Sequence, residues 1–491
     1  MTTTPITRPI FPHRGGAMRI TYTALALGAL VLGACNLPDE ANLNNPSAND
    51  FSVINDLPHL QALVTGVVRG DRVQNENEII YGETMGRDGM RLTGSEPRFV
   101  TELLGPSSID PSDFLGGALW PYATVRLANI GLHGIAGAPS TLLDAQGKPA
   151  TLGFVQTIKA LIMLRVAESH DTTGAPIDVD VDPTGPLAPL RCRNDVLAYV
   201  AALLDSAATN LAAGGSAFPF VPPSGLAGFD TPATFRQFNR GLAAKVDVYL
   251  AYRGYAPLGS VVGTIDPVYL DSADADLAAS FMNPASALDA GPAHAYSTGT
   301  GDATSGLWDQ GLAKTAFRAN PRVVTEADAG DHRVTRKLVT GSSIAVQGFS
   351  SDQVFTLYPD ATTPTPIITN KELLLLQAEV NWGRGNYATA LAEADAIRSQ
   401  DGGLTTDTTT AVAAGVLNRI LYEKRYSLLW ESASRWIDAR MFGKLDSLPP
   451  PAGVGAEKEP APGEPYRNFP IPFNEAAARN NDLSKQSCSL P

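Results

Sequence analysis

Residues 371–400 decide the fold, with the sequence KELLLLQAEVNW, then GRGN, then YATALAEADAIRSQ. In both longer segments apolar side chains recur every three to four residues, which is the spacing of one helical face. Gly383 and Gly385 stand between the segments, where a helix must end and the chain must reverse. Small side chains that let two helices approach closely lie at Ala378, Ala390 and Ala394. This stretch predicts a helical hairpin.

The same periodicity returns along most of the chain after residue 50. Further helices are predicted over residues 51–70, 119–135, 152–169, 195–211, 232–253, 271–281 and 411–442. Helix pairs of about 34 residues with alanine and glycine at these offsets are typical of tetratricopeptide-like units. The sequence therefore predicts a mainly α fold, in which a tetratricopeptide-like helical repeat scaffold carries long irregular loop insertions.

The segment from about 283 to 366 differs from the rest because it is rich in Gly, Ser, Thr, Asp and Pro. It has few periodic apolar positions, and only a short strand at 354–357 is predicted within it. Long loops in a compact domain are commonly functional. We therefore expect this loop-rich insertion to contribute to a ligand-binding face.

The N-terminus has the features of an export signal. Residues 18–35, MRITYTALALGALVLGAC, place one arginine before a short apolar core and small residues before Cys35. The ending LGAC resembles the lipobox of bacterial lipoproteins, in which the cysteine is lipidated. We interpret residues 1–34 as a lipoprotein signal peptide, 35–50 as a flexible tether, and 51–491 as a single domain.

Charge and cysteine content narrow the function classes. The formal net charge is −13 and no cluster of Lys and Arg is present, so nucleic-acid binding is not expected. The three cysteines, Cys35, Cys192 and Cys488, form no C-x-x-C pair and predict no thiolate metal site. If Cys35 is lipidated, Cys192 and Cys488 remain as a disulfide or as two free thiols.

Motifs for catalysis are missing from the sequence. The six histidines are dispersed, and there is no G-x-S-x-G nucleophile elbow and no P-loop. The acidic run DSADAD at 271–276 lacks the glycine and distal glutamate of a calcium loop, and we interpret it as a solvated helix start. We expect a non-enzymatic protein without metal or cofactor. A glycosidase-type carboxylate pair stays open, because spatial separation defines it.

Three segments near the C-terminus carry a family resemblance. ELLLLQAE at 372–379 with the following hairpin, EKRYSL at 423–428 with RWIDAR at 435–440, and PIP at 470–472 occur in that order. Together with the lipobox, they resemble the SusD/RagB-type nutrient-binding outer-membrane lipoproteins. One departure is Asp482 after Asn481, where the family often has proline.

The resemblance implies a SusD-like helical domain with four tetratricopeptide-like pairs. It also implies an outer-membrane, surface-exposed, lipid-anchored protein that binds an oligosaccharide or peptide. The family's usual partner is a SusC-like TonB-dependent transporter, which would receive the ligand.

Candidate ligand-binding residues follow from the chemistry of sugars, whose C–H faces stack on aromatic rings. Trp308 and Tyr296 lie in the loop-rich insertion, and Tyr81 lies in a polar cluster that has the composition of a loop. The remaining tryptophans assigned to core packing are Trp382, Trp430 and Trp436. Glu431 and Arg435 are spaced to form an i, i+4 ion pair on one helix.

Two alternatives to nutrient binding stay open at this point. One is a helical-repeat envelope scaffold that binds another protein, and the other is a lipid-anchored polysaccharide hydrolase. Neither the ligand nor the membrane leaflet of the anchor follows from the sequence.

Overall fold

The structure is a computed structural model of the 491-residue chain. It describes residues 48–104, 109–112, 114–180, 185–252, 264–308, 316–406, 411–445, 448 and 467–480. The chain divides into two units, Met1–Asp50 and Phe51–Pro491. The predicted signal peptide and lipidation site at Cys35 lie outside the described residues. Cys192 is disulfide-bonded, and its suggested partner Cys488 also lies outside them.

Helices dominate the described part of the second unit. In chain order they are α1 (Leu57–Met85), α2 (Arg98–Thr101), α3 (Tyr122–Gly137), α4 (Gly147–His170), α5 (Arg193–Ala213), α6 (Pro232–Ala251), α7 (Pro267–Ala279), α8 (Pro321–Thr325), α9 (His332–Lys337), α10 (Asn370–Gly383), α11 (Tyr387–Gln400), α12 (Ala413–Ser427), α13 (Ser434–Met441) and α14 (Phe473–Ala478). The predicted mainly α fold is confirmed.

The strands are short and form two-stranded antiparallel sheets. They are β1 (Gly89–Arg91), β2 (Ala175–Pro176), β3 (Leu190–Arg191), β4 (Ala293–His294), β5 (Phe317–Ala319), β6 (Leu338–Val346), β7 (Phe349–Phe355) and β8 (Thr365–Pro366). β1 pairs with β5, β2 with β3, β4 with β8, and β6 with β7. The strands from β4 onward, together with α8 and α9, give the loop-rich insertion more regular structure than its composition indicates. Its predicted strand at 354–357 is the end of the β6–β7 hairpin.

Helices that are neighbours in the chain pack against each other. α4 packs on α5, α5 on α6, α6 on α7, and α10 on α11. The contact of α4 with α5 is close because Gly153 has no side chain: a Cβ there would lie 2.6 Å from Leu211 Cγ and 2.8 Å from the carbonyl oxygen of Ala207. These pairs form one continuous apolar core.

The hairpin that decides the fold forms as predicted. α10 ends at Gly383 and α11 begins at Tyr387, with Gly385 in the left-handed region at φ 79°. Ala378, Ala390 and Ala394 are each 0% exposed between packed helices. Local sequence alone was sufficient here, since each signal lies within a few residues of the feature it controls.

The first long helix differs from its prediction. α1 covers Leu57–Met85, whereas the apolar pattern indicated 51–70. Its second half is polar in sequence but buried in the structure, and the buried residues include Asp71, Asn75 and Glu78. The side chains that pair with these residues belong to other elements. The local sequence therefore shows only unpaired polar residues, which is the composition of a loop.

The predicted helix at 411–442 is also corrected. α12 ends at Ser427 and α13 begins at Ser434, and Trp430 between them has a φ of 60°. The predicted Glu431–Arg435 ion pair is therefore wrong, because the two residues do not share a continuous helix. Arg435 instead lies 3.3 Å from a carboxylate oxygen of Asp88.

Among the residues that the structure describes, two helical segments have the length and mean hydropathy of a membrane span, Gly147–Thr173 and Arg193–Ala213. The apolar window of the first is 89% buried inside the protein and that of the second 39%. Core helices of soluble domains meet the same criteria of length and composition. The burial of the first segment, α4 with the turn that follows it, identifies it as a core helix.

A histidine at the end of α4 belongs to this core. His170 is 0% exposed, its Nδ1 lies 2.9 Å from Ser169 Oγ, and its ring meets Trp120 edge-on at 4.7 Å. Burial lowers the pKa of His170 to about 3. The imidazole is therefore neutral in the folded protein at neutral pH.

We expect His170 to make the fold acid-sensitive. The unfolded chain binds a proton at this residue below pH 6.5 and the folded chain does not, so stability falls as the pH drops through that value. Between pH 7 and pH 5 this one group should remove about 2 kcal/mol from the free energy of unfolding. Urea unfolding of His170→Phe, which keeps a ring against Trp120, should show a shallower loss over that interval. An unchanged slope would contradict the assignment.

Candidate ligand-binding site

An open cavity of about 410 Å³ lies where the loop-rich insertion meets the scaffold. Ligand pockets in proteins typically have volumes of about 300–1,000 Å³. The lining comes from four separate stretches of chain and consists of Asp289, Gly291, Ala293, Arg336, Lys337, Leu357, Tyr358, Pro364, Pro366, Thr369 and Glu431. The cavity thus combines a leucine, a tyrosine ring and prolines with four charged side chains.

A carboxylate shared by two buried lysines forms one part of this lining. Glu431 Oε1 lies 2.7 Å from Lys337 Nζ, and its Oε2 lies 2.7 Å from Lys371 Nζ. Lys371 also pairs with Asp289 at 2.5 Å. The side chains of Lys337 and Lys371 are 3% and 0% exposed, while that of Asp289 is 73% exposed. The ion-pair network therefore runs from the interior to the rim.

The two lysines respond differently to their surroundings. Burial lowers the pKa of Lys337 to about 8, against the opposing effect of Glu431. Its ammonium group donates to the carbonyl oxygens of Ser427 at 2.7 Å and Leu429 at 3.2 Å. Burial would also lower the pKa of Lys371, but nearby carboxylates outweigh it and the pKa is raised. Glu431 is thus the anion on which both ammonium groups depend.

Trp430 fixes the direction of Glu431. Its ring is 1% exposed and stacks on Phe355 of β7 at 4.2 Å with an interplanar angle of 7°. The backbone N–H of Trp430 donates to Glu83 Oε1 at 2.8 Å, and its backbone carbonyl oxygen accepts from Tyr358 Oη at 3.1 Å. A bulky residue with positive φ is strained and persists only where surrounding contacts hold it. Here those contacts turn the chain so that the next side chain reaches the lysines.

Tyr296 supports the wall of the cavity from behind. Its hydroxyl donates to Thr365 Oγ1 at 3.0 Å, between the lining residues Pro364 and Pro366. The Tyr296 ring is 7% exposed, with the guanidinium of Arg72 5.2 Å from its centroid. Tyr296 therefore holds the lining in place, and little of its ring is available to a ligand.

A buried charge cluster fastens β4, which contributes Ala293 to the lining, to the scaffold. His294 Nε2 of β4 lies 2.8 Å from Asp71 Oδ2 of α1. The other oxygen of Asp71 accepts from Arg165 Nε of α4 at 2.9 Å, and Arg165 also pairs with Glu78. Because these groups are buried, the position of β4 is set by the helices beneath it.

Comparison with protein-family models and with curated protein sequences found no match. Comparison with solved structures found several. A SusD superfamily protein from Parabacteroides distasonis matches with a TM-score of 0.65 and 15% identity over 86% of this chain and 98% of that chain. One from Bacteroides vulgatus matches with a TM-score of 0.64 and 16% identity over 89% of this chain and 100% of that chain. The chain has the SusD fold.

A further similar structure includes an oligosaccharide. It is described as a crystal structure with xylogluco-oligosaccharide, and it matches with a TM-score of 0.58 and 16% identity over 79% of this chain and 85% of that chain. At such identities the similarity shows the SusD fold and leaves function to the site itself.

On this SusD fold the three aromatic residues chosen from the sequence are separated. Tyr296 lies behind the cavity wall, and Trp308 is half-buried in its loop without lining the cavity. Tyr81 lies inside α1, where it is 5% exposed and packs against Phe99 and Phe469 at centroid distances of 6.3 and 5.8 Å. Its predicted placement in a loop is wrong, because the polar neighbours that suggested a loop belong to the buried half of α1.

The tryptophans assigned to the core are confirmed. Trp382, Trp430 and Trp436 are 6%, 1% and 2% exposed. What the sequence missed is that Trp430 acts on the site through Glu431, along with the lining positions Lys337, Asp289 and Arg336. The two serines at Ser432 and Ser434, a residue type that favours helix ends over helix interiors, were the available signal for a break in the helix.

The acidic run at 271–276 makes ion pairs in the SusD-fold scaffold. Asp271 and Asp274 lie 2.7 and 3.1 Å from the guanidinium of Arg384, and Asp276 lies 3.0 Å from that of Arg240. Over the described ranges of the chain, no group of three or more His, Cys, Asp or Glu side chains could hold a metal ion.

Proposed function

We propose that this protein is an outer-membrane lipoprotein, anchored through Cys35 and exposed at the cell surface, that binds an oligosaccharide or a peptide without changing it chemically. The bound nutrient is then delivered to a SusC-like TonB-dependent transporter. The observation that carries the proposal is the open, mixed polar and apolar cavity on a SusD fold.

The chemistry of the cavity supports binding of a sugar. Leu357 and the two prolines offer apolar surface to the C–H side of a pyranose ring, whereas Tyr358 is 4% exposed and lies beneath them. Asp289 and Arg336 stand at the rim with exposed charged groups, which can accept from and donate to hydroxyl groups. The similar structure with a xylogluco-oligosaccharide points to the same ligand class.

The carboxylate of Asp289 supports binding rather than hydrolysis. Burial would raise the pKa of Asp289, but the neighbouring Lys371 outweighs it and the pKa is lowered. A glycosidase needs a general acid that keeps its proton near neutral pH, for which the pKa must be raised. Asp289, held in its ionised form, has the opposite property.

A rim variant tests the cavity as the binding site. Asp289→Ala should weaken oligosaccharide binding about tenfold, the effect of losing a charge-assisted hydrogen bond. Asp271→Ala is the matched control, since Asp271 is 76% exposed and pairs with Arg384 much as Asp289 pairs with Lys371. Calorimetric titration of both variants should show a loss only for the first. Equal affinities would place the ligand elsewhere.

The lipid anchor is tested by fractionation of cells. Cys35→Ser removes the thiol that would carry the acyl chain, so the protein should move from the membrane fraction to the soluble fraction and lose labelling by a fatty-acid analogue. Membrane association that survives this substitution would contradict the lipoprotein assignment.

Delivery to a transporter predicts a complex. Solubilised membranes should yield a large β-barrel protein together with this chain, and the pair should separate from unrelated envelope proteins. The chain could instead be recovered without a β-barrel protein from cells that bind glycan at their surface. That result would favour the alternative of an envelope scaffold that binds another protein.

A further inference from the structure

A second cavity of about 190 Å³ lies on a different part of the scaffold. It is bounded by the first turn of α3, the segments around β2 and β3, and the C-terminal helix α14. Its lining residues are Tyr122, Arg126, Pro176, Val179, Gly185, Pro186, Leu187, Ala188, Glu475 and Arg479. None of them lines the cavity assigned to the nutrient, so a ligand here would be independent of the proposed function.

One arginine of this cavity is built into its wall. The side chain of Arg479 is 8% exposed, and its Nε and Nη2 donate to the same oxygen of Glu475, Oε1, at 2.8 and 2.5 Å. A guanidinium has five N–H donors. The rest of its N–H groups have no hydrogen-bond partner within the described ranges, so Arg479 retains donors for a ligand.

The second arginine, Arg126, has no ion-pair partner among the described residues. Arg126 follows Tyr122 by one helical turn on α3, so both side chains lie on the same helical face. Arg126 is exposed and lines the cavity, and it makes no ion pair with any residue that the structure describes. Among the described lining residues Glu475 is the one acid, so those residues carry a net charge of +1, whereas the whole chain has a formal net charge of −13.

The remaining walls of the cavity are apolar. Pro176, Val179, Pro186 and Leu187 line the cavity, and the Leu187 side chain is 49% exposed. Tyr122 is fixed because its hydroxyl donates to the carbonyl oxygen of Pro176 at 2.7 Å. A ligand that fits this surface has one negative charge and a small apolar body.

We propose that this cavity binds an organic carboxylate, held between the guanidinium groups of Arg126 and Arg479 with its apolar part against the proline-lined wall. Planar guanidinium groups match the geometry of a carboxylate and form charge-assisted hydrogen bonds with it. The single net charge and the apolar walls favour a monoanion over a phosphate dianion. Two sources supply such a group, the C-terminus of a peptide and a uronic acid.

Calorimetric titration with matched probes tests the proposal on the purified protein. N-acetyl-leucine represents a peptide C-terminus, and its neutral counterpart is N-acetyl-leucinamide. Galacturonate represents a uronic acid, and its neutral counterpart is the methyl ester of galacturonic acid. At least one acid should bind, with its neutral counterpart ten or more times weaker. The acid that binds more tightly identifies the source of the carboxylate.

Variants then locate the bound acid. Arg126→Gln, at an exposed position that should not affect folding, should weaken binding of the acid about tenfold. Arg236→Gln, at an exposed position on α6 outside the cavity, should leave it unchanged. Failure of both acids to bind, equal binding of acid and neutral probe, or equal binding by wild type and Arg126→Gln would each overturn the proposal. Loss of nutrient binding in Asp289→Ala would leave this result untouched.

Discussion

Trp430→Ala is expected to lower the free energy of unfolding by about 3–5 kcal/mol, the range for truncating a large buried aromatic side chain. The ring is 1% exposed and contacts Phe355 and Phe317 at centroid distances of 4.2 and 5.3 Å. Its removal empties the space between β5, β7 and the α12–α13 turn. Alanine keeps the Cβ that makes a positive φ unfavourable, so the substitution relieves no backbone strain and the loss of packing decides the sign.

The same substitution should also reduce ligand binding, because Trp430 sets the direction of Glu431 at the cavity. Urea unfolding measures the first effect and calorimetric titration the second. Trp308→Ala is the matched control, since it removes the same ring from a half-buried loop position and should cost about 1 kcal/mol or less. A Trp430→Ala protein as stable as this control would refute the packing argument.

Glu431→Gln is expected to destabilise the fold by about 3 kcal/mol or more at pH 7, because removing one member of a buried ion-pair network leaves uncompensated charge. Lys337 and Lys371 each lie 2.7 Å from this carboxylate. Without it Lys337 keeps ion–dipole contacts to the carbonyl oxygens of Ser427 and Leu429, and Lys371 keeps the largely exposed carboxylate of Asp289. Glutamine preserves the shape of the side chain, so the loss of stability is attributable to the loss of the negative charge.

The loss in Glu431→Gln should depend on pH. Burial lowers the pKa of Lys337 to about 8 from a reference value of 10.5. The folded chain therefore binds fewer protons than the unfolded chain between these values, and stability from this group rises as the pH rises. Above pH 8 the side chain of Lys337 is mostly neutral, so it loses less interaction energy when Glu431 is replaced. The destabilisation caused by Glu431→Gln should therefore be smaller at pH 9.5 than at pH 7.

The control for this series is Glu96→Gln, which breaks a more exposed pair with Arg98 whose side chains are 25% and 34% exposed. Pairs that water can reach contribute little to stability. Chemical unfolding at pH 7 and pH 9.5 compares the two variants. A Glu431→Gln loss no larger than that of Glu96→Gln, or one that grows with pH, would contradict the network described here.

The parts of the fold that the sequence predicts are those with local causes. The turn at Gly385 and the close helix contact at Ala378 are visible in a window of thirty residues. The second half of α1 was missed because Asp71 and Glu78 are compensated by Arg165, more than eighty residues away in sequence. A polar residue with a distant partner has the same local pattern as a polar residue in a loop.

The candidate site was less predictable for a related reason. Its cavity is assembled from stretches as far apart as Asp289 and Glu431, and no periodicity connects them. Tyr296 was chosen as a ring for stacking on sugar, and the contact that the sequence did not indicate is the hydrogen bond from its hydroxyl to Thr365. The left-handed turn at Trp430 depends on tertiary contacts with Glu83 and Phe355, since tryptophan carries no local preference for positive φ.

The most direct test of binding without turnover is titration of the purified protein with a panel of oligosaccharides and peptides, followed by mass spectrometry of the recovered ligand. We predict saturable binding of at least one oligosaccharide or peptide, with a one-to-one stoichiometry at the cavity that contains Glu431 and with the ligand unchanged after prolonged incubation. Shortened products from any member of the panel, or no binding to any member, would contradict it.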